Sequence, residues 1–221
     1  MIGFGVIGTI YGCVLAEAGH DVLHYVRPGR AAVLRGGAKV SVLDARAGEA
    51  KERRLSYRPE LVEGLDGVGA DVVLASVRHY QLDELLPLLA NARPEADLLF
   101  FNNLWTSFEP ADAQLRGRYL WGFPVAGGGY EDGVLEAAPL PAVHLGVVPG
   151  ADGSRLEALI DLFSGCGLEV EVQTDMLAWL WTHFAVEAGV IATAIRAGGV
   201  DTFLPKGRSA RGRRAREGRF R

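Results

Sequence analysis

The sequence predicts an α/β protein with a doubly wound, mostly parallel sheet, and three observations carry that prediction. Glycines at Gly3, Gly5 and Gly8 form a turn that opens a helix, DVLHYV (Asp21 to Val26) then supplies a strand that closes a βαβ unit, and strand-like and helix-like segments continue to alternate along the chain.

The G-x-G-x-x-G spacing gives each glycine a separate task. Gly3 makes a tight turn, Gly5 lets the main chain approach a pyrophosphate, and Gly8 lets the helix pack closely on the sheet. Phe4, Val6 and Ile7 complete the loop. Only Met1 and Ile2 stand before the first glycine, so the first strand is expected to be cut short, with the chain beginning inside it. The other reading is an accidental glycine pattern, and the helix and second strand that follow argue against it.

The remaining elements follow in order. Thr9 to Ala18 reads as a helix stopped by Gly19. The β-branched run Asp71 to Val77 leads into YQLDELLPLLANA, whose leucines recur at helical spacing, and Leu98 to Asn102 is another strand. WGFPVAGGGYEDGVLEAAPLPAVHLGVV reads as strand, glycine turn and β-hairpin, followed by a helix over Ser154 to Phe163 and a strand over Leu168 to Val172. A last helix, Met176 to Ile195, is apolar nearly all round, which requires burial and otherwise predicts self-association, most simply as a homodimer.

Length and composition bound the class. The chain has 221 residues, 49% of them apolar and 23% charged, enough for one full domain and part of another. No leader precedes the glycines, and no run of about 18 apolar residues free of charge or polar interruption suggests a membrane span. Cys13 and Cys166 have neither metal-ligand nor disulfide-framework spacing. A cytoplasmic protein with no membrane partner is expected. His20, His24, His79 and His144 are scattered without ligand spacing, so no metal is expected and they read as loop or strand histidines. Trp105 and Trp121 read as core aromatics, with the cofactor cleft as the other option.

Charge is divided unevenly. The net charge is −4, yet residues 206–221 hold eight Lys/Arg and one Glu, leaving 15 basic and 26 acidic residues before them. That tail has one aromatic, Phe220, and no apolar period, so it is expected to be disordered or a non-native end. Clustered arginine could serve an acidic or nucleic-acid partner, but such tracts carry no base-reading information, and no nucleic-acid partner is assigned.

The end of the second strand bears on the cofactor. A site for NAD places Asp or Glu there against the ribose 2′-hydroxyl, whereas arginine suits the 2′-phosphate of NADP. HYVRPGR offers no acid before Arg27, with Arg30 close behind, which favours NADP over the bland reading of two solvated loop arginines.

Taken together and in this order over residues 2–204, GFGVIG, LAEAGHDVLHYVR, ASVRHYQLDELLPLL, FFNN, the GGG…EDG…HLG hairpin and the Trp-containing helix resemble the ketopantoate reductase family, the NADPH-dependent 2-dehydropantoate 2-reductases. The resemblance implies a Rossmann-type domain followed by the start of an all-helical C-terminal domain. Expected boundaries are 1–173 for the NADP-binding domain, 174–204 for the first helix of an incomplete helical substrate domain, and 205–221 for the basic tail. It implies that Gly3 to Gly8 hold the phosphates, that Arg27 lies beside the 2′-phosphate, and that Arg78 replaces a cofactor-binding lysine in a V-x-x-x-Q context ending at Gln81. It also implies that Asn102 is shared by the nicotinamide ribose and a small 2-oxo acid substrate.

The helix WLWTHFAVEAGVIATAI departs from the family pattern W-x-K-L-x-x-N-x-x-x-N. His183 stands at the lysine, Glu187 at the first asparagine and Ile191 at the second, while Asn103 stands where a glycine follows the earlier asparagine. Reduction of a 2-oxo acid needs a donor near the developing alkoxide, and a histidine with an ordinary pKa of about 6.5 can be that donor. Glu187, four residues on, shares its helix face and favours the imidazolium. His183 and Glu187 are therefore the expected catalytic pair, with an ordinary helix-surface pair as the other reading. The expected function is NADPH-dependent reduction of a 2-oxo acid to a 2-hydroxy acid, or else a catalytically impaired nucleotide-binding fragment.

Overall fold

Helix α1 (Val6–Glu17) starts where the glycines end, with Gly5 as its N-cap and Ala18 as its C-cap. Gly19, at φ +92°, makes the left-handed stop that only glycine takes without strain. The computed structural model describes residues 1–91, 95–151 and 153–198. The expected basic tail, 205–221, lies outside the described residues.

The first strand is reduced to a minimum. Ile2 forms parallel bridges on both sides, to Tyr25 of β1 (Leu23–Tyr25) and to Ala75 of β5 (Val72–Ala75). Its N–H donates to the Leu74 carbonyl at 2.7 Å and its carbonyl accepts from Ser76 N–H at 3.1 Å, while Tyr25 N–H donates to the Met1 carbonyl at 2.8 Å. The main chain at Met1 and Ile2 thus does what a central strand does. With β4 (Glu60–Val62) outside β1, and β6 (Asp97–Phe100) and β7 (Tyr119–Glu131) beyond β5, the parallel order is β4, β1, Ile2, β5, β6, β7. That is the order of a doubly wound dinucleotide-binding sheet.

The sheet continues antiparallel. β8 (Val134–Gly146) returns along β7 through Asp132 and Gly133, both at positive φ (50° and 77°), the geometry an Asp-Gly hairpin turn requires. The three glycines 127–129 are not a turn; they lie within β7, opposite Ala138, Ala137 and Glu136. The far half of β8 pairs in parallel with β9 (Glu169–Gln173), after helix α5 (Gly153–Gly165), and its near half with β2 (Ala38–Asp44).

Residues 31–70, where apolar periodicity marks no element, contain the short helix α2 (Ala31–Leu34), β2, β3 (Lys51–Tyr57) and β4. β3, KERRLSY, is an edge strand whose exposed charges hide its period and guard its unpaired side. Arg46 ties this hairpin to the body: its guanidinium bonds Asp44 at 2.7 Å, Glu17 at 2.9 Å and the Cys166 carbonyl at 3.0 Å. Hydrogen bonding from Arg46 holds the Asp44 carboxyl below the usual carboxylate range.

Both sheet faces are covered, as the alternation within β6 requires. Leu99 and Phe101 join Ile10, Tyr11 and Val14 of α1 and Phe163 of α5 in one buried cluster. Phe100 instead stacks on Trp121 at 5.1 Å, and Trp121 packs with Phe108 at 5.2 Å beside helix α4 (Glu109–Leu115). Trp121 is therefore a core residue and Trp105 is exposed. Helix α3 (Leu82–Ala90) buries Leu82, Leu85, Leu86 and Leu89, one helical stripe.

The chain divides into a unit of Met1–Leu177 and a second beginning at Ala178, within helix α6 (Met176–Arg196). On the described part of α6 only a stripe is buried, including Leu180 and Phe184, while Val186, Val190, Ile191 and Ile195 are exposed. The apolar composition expected to require all-round burial is only partly covered among the described residues. By length and composition α6 is apolar enough to cross a membrane, a test that core helices of soluble proteins also pass; Thr182, His183 and Glu187 interrupt it.

Leu99, with no exposed surface at the centre of the sheet, sets a stability expectation. Leu99→Ala should cost about 2–5 kcal/mol in urea unfolding, whereas Val33→Ala, at a position 69% exposed, should fall within about 0.5 kcal/mol.

Candidate functional site

Ile2 and β5 fix where the glycine turn must lie, because each contributes the carboxyl end of a strand to the same edge of the sheet. Gly3 follows Ile2 directly, at φ +98°, and its N–H donates to the Tyr25 carbonyl at 3.2 Å. Ser76, which follows β5, sends its hydroxyl to the Ile2 carbonyl at 3.1 Å. A cleft of about 760 Å³ opens there, at the switch point where ligands of such sheets bind.

The three glycines stand in different surroundings. A Cβ on Gly8 would collide with the Gly3 carbonyl and sit 2.8 Å from Ser76 Oγ, so this position fixes how closely α1 approaches the strand ends. A Cβ on Gly5 would meet nothing within 4 Å, because it would project into open space at the cleft. No side chain caps α1, and its first turn holds no acid. Its leading N–H groups and positive dipole end are therefore available to an anion.

Gly3, Phe4, Gly5, Val6, Ile7, Arg27 and Arg78 all line this one cleft, and Gly8 is buried at the start of α1. Arg30, Ser76, Gln81, Asn103 and Tyr130 join them. Arg27, Arg30 and Arg78 are exposed, and among the described residues they make no ion pair and no carboxylate lines the cleft. The nearby acid Glu63 is engaged elsewhere: its Oε1 accepts from Ala31 N–H at 2.8 Å, and main-chain donors there hold its carboxyl below the usual range.

Asn102 does not line the cleft. It is 2% exposed, its amide donates to the Val77 carbonyl, and its own carbonyl accepts from Trp121 Nε1 at 2.8 Å. Its Oδ1 has no hydrogen-bond partner among the described residues. Val77 and Asn103, which it bonds and precedes, do line the cleft. His183 and Glu187 lie on the second unit's part of α6. There His183 Nε2 is 3.4 Å from Glu187 Oε1, and the imidazole stacks on Trp179 at 4.9 Å and 8°.

His24 is more than the strand residue its scattered position suggests. Fully buried on β1, it lies 2.9 Å through Nδ1 from the Gly3 carbonyl and 2.9 Å through Nε2 from the Tyr57 hydroxyl, with the Phe4 ring edge-on at 4.9 Å. Burial, opposed by the bond to the Gly3 carbonyl and aided by the Met1 ammonium, brings its pKa down to about 4. Its partner Tyr57 is 33 residues away at the end of an edge strand, so no local pattern in the sequence reveals the pair. Tyr130 reaches the cleft by sheet pairing, again with no local sign.

Two outcomes follow from this geometry. Gly5→Ala should leave the urea midpoint nearly unchanged while narrowing the cleft, whereas Gly8→Ala should destabilise by about 1–3 kcal/mol through overpacking against main chain. Because His24 is neutral in the folded state and ionises near 6.5 when unfolded, its contribution is complete above about pH 6.5. It should be lost progressively as pH falls to about 4, on the order of 3 kcal/mol in total, and His24→Gln should flatten that part of a stability–pH curve.

Comparison with known proteins agrees with this architecture. The family model described as ketopantoate reductase PanE/ApbA matches residues 1–147. The 2-dehydropantoate 2-reductases of Pyrococcus abyssi and Pyrococcus horikoshii are 22% and 24% identical to the chain, over 86% of its length in each case and 61% and 60% of theirs. The chain therefore spans about three-fifths of the curated relatives it matches. Among solved structures, 2-dehydropantoate 2-reductase from Methylococcus capsulatus superposes with a TM-score of 0.65 at 20% identity, covering 90% of this chain and 64% of that one. A D-mandelate dehydrogenase solved with NADH and anilino(oxo)acetate superposes with a TM-score of 0.60 at 17% identity, covering 78% and 55%. With a sequence match over two-thirds of its length and the doubly wound sheet to go with it, the chain belongs to the ketopantoate reductase family.

Proposed function

We propose that the cleft binds NADPH and that the chain belongs to an enzyme reducing a 2-oxo acid to a 2-hydroxy acid. One observation carries the cofactor reading: bare glycine main chain and an uncapped helix start share a cleft with Arg27, Arg30 and Arg78, and no carboxylate lines it among the described residues. The helix amides suit the diphosphate. The guanidinium groups, unspent on other partners, suit the 2′-phosphate, where an acid would repel it. The open volume at a Gly5 Cβ is the space a diphosphate needs.

When bound, the reduced nicotinamide supplies hydride to the substrate carbonyl carbon. The chain's own residues orient and exclude. Asn102, held by Val77 and Trp121, sets the course of the cleft-lining Val77 and Asn103 from behind, and Tyr130 bounds the cleft. His183, 3.4 Å from Glu187 and stacked on Trp179, is proposed as the proton donor of the reaction. The substrate class is taken from the names of the relatives, 2-dehydropantoate 2-reductases. The buried free thiols Cys13 and Cys166, with Cys13 pushed up to about 12, suit a reducing cytoplasm. The exposed apolar residues of α6 support self-association as a homodimer.

A second reading, nucleotide binding without turnover, is favoured by one feature: His183 and Glu187 stand where the family resemblance expects lysine and asparagine. Fluorescence titration should give NADPH at least about tenfold tighter binding than NADH, and Arg27→Ala should erase most of that preference. Single-turnover mixing with a panel of 2-oxo acids should consume NADPH, and His183→Ala should abolish consumption while leaving NADPH affinity intact. Binding without consumption by the unsubstituted chain would select the second reading; equal affinity for the two cofactors would refute the arginine assignment.

A further inference from the structure

We infer that Tyr57 and His24 are positioning residues for the phosphate-binding turn: Tyr57 holds the His24 ring in place through Nε2, and the Nδ1–H anchors the Gly3 carbonyl. The inference rests on the reading of the cleft as a dinucleotide site. The assignment of protons follows from the partners. A main-chain carbonyl has no proton to give, so the 2.9 Å contact between Gly3 O and His24 Nδ1 requires the hydrogen on Nδ1. A neutral ring protonated there is an acceptor at Nε2, and the Tyr57 hydroxyl 2.9 Å away is the donor that acceptor needs. Only this tautomer satisfies both bonds while leaving the Tyr57 hydroxyl as donor. Nδ1 and Nε2 cannot exchange roles without facing the Gly3 carbonyl with a lone pair.

What the relay holds is the part of the loop that sets its direction. Gly3 takes the positive φ of the turn, and both of its main-chain polar groups are tied to β1, the N–H to the Tyr25 carbonyl and the C=O to His24. Helix α1 rests on the same pair: a Cβ added to Gly12 would stand 2.7 Å from His24 Nε2 and would overlap the Tyr57 hydroxyl. Tyr57 thus links β3 to β1, to the turn at Gly3 and to the flank of α1, whose first N–H groups face the cleft. Loss of the hydroxyl leaves a buried acceptor unpaired, frees the ring to reorient about its bond to Gly3 and loosens the turn, without touching the cleft wall. Neither Tyr57 nor His24 lines the cleft, so any effect on binding travels through the turn.

The test combines ring-nitrogen NMR with cofactor titration. In the unsubstituted chain at pH 7, His24 should show Nδ1 protonated and Nε2 bare, with or without NADPH. Tyr57→Phe keeps the ring packing; it should leave Nδ1 protonated against the Gly3 carbonyl, shift the resonance of the now unpaired Nε2 and weaken NADPH binding about fivefold, the effect of one neutral hydrogen bond, with an otherwise native amide spectrum. His24→Asn, whose amide can still donate to Gly3, should bind NADPH more tightly than His24→Leu; this pair carries the test if Tyr57→Phe does not fold. An Nε2–H tautomer in the unsubstituted chain, affinity of Tyr57→Phe within twofold, or equal affinity of the two His24 variants would overturn the relay. Absence of NADPH binding by the unsubstituted chain would overturn the cofactor reading and the positioning role together; the ligand-free spectra would still show whether the tautomer is fixed.

Discussion

Two residues of extended main chain hold this architecture in register. Ile2 bonds to β5 on one side and bridges Tyr25 of β1 on the other, and Met1 adds a bond to Tyr25. Without that link the pair β1–β4 and the block beginning at β5 share no ladder. The same link sets the glycine turn, because the chain leaves the sheet at Gly3 and can enter α1 only through a left-handed residue. Close packing at Gly8 and an open position at Gly5 then become meaningful, since both are measured against a turn that the sheet has already placed.

The electrostatics of the cleft follow from this placement. Carboxyl ends of parallel strands and the amino end of α1 converge, so the site offers donors and few acceptors. Arginines after β1 and β5 reinforce that sign, and Glu63, the carboxylate that could oppose it, is spent on the start of α2. Within the body Arg46 is paired with Asp44 and Glu17, and Arg155 with Asp97. Three arginines in one cleft, with no carboxylate among its described lining residues, support the proposed anionic ligand.

Much of this was legible in the sequence, for local reasons. G-x-G-x-x-G, the leucine stripe of α3 and the β-hairpin of β7 and β8 are short-range signals, and each occurs in the stretch that carries it. Helix α1 begins three residues before the expected Thr9, because glycine and apolar positions give no sharp start signal. β2 and β3 escaped because an edge strand reading KERRLSY hides its period under charge. The triple glycine looks like a turn yet pairs as strand, since the neighbouring β8 supplies the ladder that glycine alone does not favour. His24, Tyr57 and Tyr130 matter through contacts across tens of residues, which no window along the chain contains. Asn102 shows the reverse: its motif marks it, while the fold turns its side-chain amide to the Val77 carbonyl and its main-chain carbonyl to Trp121.

The account stands on the claim that main-chain N–H groups at the start of α1 receive a diphosphate. Amide-resolved NMR during titration with NADPH tests it most directly. The account predicts that the largest shifts fall on Gly5, Val6, Ile7 and Gly8, with smaller ones at Arg27 and Arg78. Saturable binding whose largest shifts fall outside this loop, or no shift in the loop at millimolar ligand, would contradict it.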